Sequence, residues 1–142
     1  MRFTNTITVN RPPVTVFAFL ANLENLPEWN YALAETRKLT PGPTGVGTRY
    51  LQTRTIPVRA EETLEITELI QNEKLTIDGT LNAFPAKVTY TLRPTGNGTT
   101  LTNTVELRTS GARNLLAPIA RNRIKSAVAD NLAELKRLLD HS

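Results

Sequence analysis

A chain of 142 residues with 39% hydrophobic and 21% charged side chains is long enough to bury one core and too apolar for extended disorder. It contains no cysteine, which excludes disulfides, thiolate metal sites and thiol nucleophiles, and the cytoplasm is the expected compartment. The net charge of +4 is spread along strands among acidic residues, with no aromatic-basic platform or recognition-helix motif, so nucleic acid is not an expected partner. The start, Met1-Arg2-Phe3-Thr4-Asn5-Thr6, lacks the pattern of a signal peptide, and no apolar run approaches bilayer-spanning length.

From Phe3 to Val9 threonines alternate with Phe3, Ile7 and Val9, a period of two that predicts a half-buried strand. Pro12 and Pro13 suit a first helical turn, and Val14 to Ala21 is apolar nearly all round, which predicts a largely covered helix. Leu23 to Asn30 reads as a short helical turn that delivers Trp29, the sole tryptophan, as a packing anchor. A second strand is expected from about Tyr31 to Leu39, a tight loop over Pro41 to Gly47, and a third strand from Thr48 to Thr55. Ile56-Pro57 interrupts the ladder, because proline has no N–H to donate, and a fourth strand follows from Val58 to about Ile70.

Beyond the turn at Asn72-Glu73-Lys74, two one-faced strands alternate over 75–81 and 86–93. Pro94 to Gly98 marks a hairpin, and its partner carries Leu101, Val105 and Leu107 on one side and Thr102, Thr104, Glu106 and Arg108 on the other. Ser110-Gly111 ends that strand. From about Ala112 to Asp140 apolar residues recur at the spacing of an amphipathic helix, in which Pro118 marks either a kink or a late start.

Strand, helix, short helix, six strands and a long helix make an α+β domain with an antiparallel sheet and exclude a parallel βαβ fold. A helix from 112 to 140 would span about 42 Å, enough to lie across the whole sheet. Pro12-Pro13-Val14-Thr15-Val16-Phe17, then Leu23 to Asn30, then Gly45-Val46-Gly47-Thr48-Arg49-Tyr50, and finally Gly96 to Leu101 with the terminal helix, resemble the START/Bet v 1-like superfamily, in its bacterial polyketide cyclase/dehydrase and lipid-transport branch. The likeness covers nearly the whole chain. It implies a helix-grip fold: a curved seven-stranded antiparallel sheet around a long C-terminal helix, two short helices between the first two strands, and a deep apolar pocket. Relatives use such a pocket for lipids, polyketides or aromatic metabolites.

Polar residues on inward strand faces are the candidate ligand contacts, because burial is costly unless something pairs with them. Glu62 shares parity with Ala60, Leu64 and Ile66, so an unbroken strand aims it inward, where a desolvated carboxyl suits general acid or base work. The competing readings are a register break near Pro57 and a carboxylate paired with an arginine across the sheet. Tyr50 and Arg54 share one parity with Gln52 and could offer a hydroxyl and a guanidinium to a ligand oxygen, although the opposite face of that strand is polar too. Tyr90 and Asn103 sit on apolar faces, as ligand contacts or as satisfied core polar groups. His141, the sole histidine, falls beyond the last apolar helix position and is expected to be exposed. With no cysteine and one terminal histidine, neither a metal nor another cofactor is called for.

Arg108, Arg113, Arg121, Arg123 and Lys125 form a basic run, read as a solvated helix face or as a weak contact with an anionic membrane surface. Two functions compete. One is binding, sequestration or transport of a hydrophobic small molecule by a monomer or homodimer. The other is a polyketide cyclase or dehydratase in which Glu62, Tyr50, Tyr90 or Arg54 moves protons while the pocket folds the substrate.

Overall fold

The computed structural model describes residues 1–81, 84–108 and 117–142. Strand β1 spans Arg2–Val9 and helix α1 Pro13–Ala21; a 3-10 turn at Leu23–Asn25 leads into the short helix α2, Leu26–Trp29. Strands β2 (Leu33–Lys38), β3 (Arg49–Arg54), β4 (Ala60–Ile70), β5 (Lys74–Leu81), β6 (Phe84–Thr95) and β7 (Gly98–Leu107) follow, and helix α3, Pro118–Asp140, ends the chain. The sheet has seven strands in the order β1-β7-β6-β5-β4-β3-β2, with every neighbouring pair antiparallel. This is the α+β helix-grip architecture.

The β4–β5 hairpin follows from its turn residues. Between β4 and β5, Asn72 adopts a left-handed φ of 64°, a conformation that asparagine tolerates better than most residues. Gly98, at the start of β7, has no room for a side chain: a Cβ there would lie 2.5 Å from the backbone oxygen of Val9. That close approach lets β1 lie against β7 along its whole length, from Arg2 opposite Glu106 to Val9 opposite Thr99.

One expectation is corrected at α1. Val16, Phe17 and Leu20 are buried on the core, but Val14 and Ala18 face solvent, because α1 packs one side on β6 and β7 and, among the described residues, no further layer lies outside it. Pro118 proves to be at the first turn of α3, where its missing N–H leaves no helical hydrogen bond unmade. The earlier stretch, including Ser110-Gly111, Arg113 and the expected helix start at Ala112, lies outside the described residues.

The 23 residues of α3 span roughly 35 Å. Its C-terminal half carries Leu132, Leu135 and Leu139 into the main core with Phe17, Leu20, Ile66, Leu75 and Leu101. Each such burial contributes about 1.5–3 kcal/mol. The helix end is tied down by Asp140, which accepts hydrogen bonds from the Asn10 backbone N–H at 2.7 Å and from Lys136 Nζ at 2.9 Å. Those bonds hold the Asp140 carboxyl below the ordinary aspartate range. Towards the helix start only Ile124 is buried, against Ala86, Val105 and Leu107. There the described residues leave a space between helix and sheet.

Candidate functional site

That space is a cavity of about 550 Å³ between α3, the segment following α2, and the ends of β3 and β5. Ala120, Ile124, Ala127 and Val128 of α3 form one wall, and Leu81 and Phe84 another. Tyr31 (63% exposed), Ile56 and Pro57 line it while reaching solvent, so the cavity opens beside them. A smaller inner chamber of about 100 Å³ continues beneath the sheet, between Leu26, Leu64, Ile77, Val88 and Tyr90. Asn30, Arg54 and Leu81 belong to both chambers, which places Arg54 at their junction. Gly79 also lines the inner chamber, and a Cβ there would press on Leu64 Cδ2 at 2.5 Å.

Arg54 and Glu62 are buried, 6% and 5% exposed. Arg54 Nε donates to Glu62 Oε1 at 3.0 Å, and Gln52 Nε2 donates to the same oxygen at 2.9 Å. The register explains the meeting: Gln52 lies directly opposite Glu62 across β3 and β4, and Arg54 is its diagonal neighbour. The β4 irregularity falls between Ile66 and Glu68, beyond Glu62, so the inward parity read from the sequence holds where it matters. Of the open readings of Glu62, the structure has the carboxylate paired with an arginine across the sheet. Glu62 is not itself part of the cavity wall; Arg54 and Gln52 stand between.

Tyr90 lines the inner chamber, and its ring meets Trp29 edge-on, with centroids 6.4 Å apart and planes at 76°. Trp29 is thus an anchor for α2, seated on the interior strand β6. Burial pushes the Tyr90 phenol well above the usual tyrosine range, so it stays protonated and can only donate or weakly accept a hydrogen bond near neutral pH.

Two candidates lie elsewhere. Tyr50 is buried in the main core at the opposite end of β3 from Arg54, where burial raises its hydroxyl, a hydrogen bond with Thr44 opposes the rise and nearby Glu24 adds to it. Asn103 lies on β7 opposite Tyr90 and Asn5, away from both chambers, with its Oδ1 buried and without a partner among the described residues. His141 is exposed at the end of α3, and Arg108, Arg121, Arg123 and Lys125 are exposed as well.

Asn131 was not among the sequence candidates, yet it is buried on the cavity side of α3. The signal was its spacing: it is seven residues after Ile124 and three after Val128, on the apolar stripe. Among the described residues no group of three or more His, Asp or Glu side chains could hold a metal ion, and no helix is long and apolar enough to cross a membrane.

Comparison with solved structures places the fold beyond doubt. A START superfamily protein from Mycobacterium smegmatis superposes with a TM-score of 0.82 at 12% identity, over 99% of this chain and 97% of that one. The structure of Ara h 8.0201 gives 0.79 at 14% identity, covering 100% of this chain and 99% of the other. Protein MLL2253 from Mesorhizobium loti gives 0.74 at 19% identity, over 100% and 98%. At such identities the likeness is one of fold alone. Comparison with curated proteins finds no match. The model of one family, polyketide cyclase / dehydrase and lipid transport, matches residues 1–140, and with its helix-grip fold and sheet-to-helix cavity the chain belongs to that family.

Proposed function

We propose that the protein binds an apolar small molecule in the cavity beneath α3 and sequesters or carries it. The observation that carries this reading is the state of the cavity's charges. The pocket is walled mainly by aliphatic and aromatic side chains, and Glu62, the one buried carboxylate among the described residues, is held by Arg54 and Gln52 behind the wall. A general base must come within hydrogen-bond reach of the proton it takes, and Glu62 is engaged elsewhere. A volume of about 550 Å³ is within the range of small-molecule sites.

The cyclase or dehydratase reading rests on Tyr90 and Arg54, both at the chamber wall, as hydrogen-bond donors to a polarised carbonyl. With Glu62 engaged behind the wall and Asp130, the carboxylate on the outer chamber, exposed to solvent on α3, these donors suit holding and orienting better than proton abstraction. Native mass spectrometry of the freshly purified chain separates the readings. Binding predicts a non-covalent mass that is stripped by organic solvent and recovered chemically unchanged after reloading and incubation. Conversion of the reloaded molecule into a cyclised or dehydrated product would favour the enzyme instead.

A further inference from the structure

On the reading that the cavity holds an apolar guest, its few polar atoms specify what that guest carries. Arg54 lines both chambers, and its Nε is engaged by Glu62; its side chain makes no other hydrogen bond among the described residues. A guanidinium has five N–H donors, so the terminal nitrogens are left for whatever fills the junction. Asn131, 9% exposed, lines the outer chamber from α3, and its Oδ1 has no partner among the described residues. Buried polar groups left unpaired are costly, and a guest that satisfies them gains affinity.

The charges narrow the chemistry further. Glu62 neutralises Arg54, and the other charged residues on the outer chamber, Arg123 and Asp130, are of opposite sign. Among the described residues the site therefore carries no net charge. A carboxylate on the guest would add a buried negative charge with no cation among those residues left to match it, and an unmatched buried charge is strongly disfavoured. An uncharged oxygen takes the same hydrogen bonds without that cost.

We infer that the ligand is an uncharged, largely apolar molecule bearing a carbonyl or hydroxyl oxygen, which accepts from the terminal nitrogens of Arg54, while a hydroxyl hydrogen is taken by the Asn131 amide oxygen. At about 30 Å³ per water-sized group, the outer chamber accommodates on the order of 15–20 non-hydrogen atoms. This differs from the ordinary expectation for a buried arginine in an apolar pocket, which would be an anionic head.

The test is displacement of the neutral fluorophore N-phenyl-1-naphthylamine from the full chain by competitors of equal chain length: dodecane, 2-dodecanone, 1-dodecanol and, at a pH of about 8, dodecanoate. The ketone and alcohol should compete about tenfold better than the alkane, and dodecanoate no better than the alkane. Replacing Arg54→Met together with Glu62→Gln, which leaves no buried charge behind, should abolish the ketone's advantage over the alkane when both are measured against the variant's own fluorophore affinity. Asn131→Leu, an independent variant on α3, should reduce the alcohol's advantage and leave the ketone's intact. Saturable fluorophore uptake with dodecanoate as the strongest competitor, or with ketone and alkane equal, overturns the inference alone. Absence of saturable uptake of both fluorophore and dodecanol overturns the binding reading and the inference with it.

Discussion

Removing the cation from the buried pair should be among the most damaging single changes in the molecule. In Arg54→Met, Glu62 keeps the Gln52 hydrogen bond but loses the guanidinium that donates to it at 3.0 Å. Two unit charges about 4 Å apart interact by roughly 4 kcal/mol at an effective dielectric of about 20, and loss of one partner of a buried pair ordinarily costs about 3–5 kcal/mol. With a urea m-value of about 2 kcal/mol/M, the unfolding midpoint should fall by about 2 M. Adding Glu62→Gln to that variant removes the orphaned charge and leaves an amide that can accept from Gln52, so the double variant should recover most of the loss.

A control is available on the same two strands. Arg49 and Glu65 approach more closely, at 2.8 Å, but are 63% and 36% exposed, and their coupling should be only about 0.2–1 kcal/mol. Both double-mutant cycles can be read by urea unfolding followed through the fluorescence of Trp29, the sole tryptophan, buried against Tyr90. If Arg54→Met and Glu62→Gln each cost under about 1 kcal/mol and add without coupling, the pair is not desolvated and the reasoning from burial fails.

Two further predictions concern the frame around the site. Gly98→Ala should destabilise by about 1–3 kcal/mol, measured as a lowered urea midpoint, because its Cβ would press on the Val9 carbonyl and separate β1 from β7. Asp140 is held below its ordinary range in the folded state, so its contribution is present above about pH 4 and is lost as pH falls through the depressed folded value. Asp140→Asn should therefore be less stable than the parent at pH 7 and lose less stability on acidification; parallel acid-unfolding curves for the two proteins would contradict the assignment.

The sheet was legible because its strands obey a period of two: the inward burial of Leu101, Asn103, Val105 and Leu107 along β7 is written in that alternation. The inward face of Glu62 was legible for the same reason, since the strand irregularity falls past it. Parity gives a face but not a place along the strand, which is why Tyr50 and Arg54, equal by parity on β3, end in the packed core and at the cavity respectively. The choice of partner for Glu62 needed the register of β3 on β4, a three-dimensional fact. Asn131 was overlooked because its place on the apolar stripe of α3 marks a buried residue, and only the space beside it marks a cavity-lining one. The exposure of Val14 was hidden because an all-apolar helix does not reveal how many of its sides find a neighbour.

The central claim is that the space beneath the first half of α3 is a binding cavity, and titration with N-phenyl-1-naphthylamine tests it most directly when paired with Ala127→Phe, which projects a ring from α3 into the outer chamber. The prediction is saturable uptake of one molecule per chain, weakened at least about tenfold by the substitution, with the urea midpoint of the variant unchanged or raised. Uptake that never saturates, or that is indifferent to Ala127→Phe in a folded variant, would contradict it.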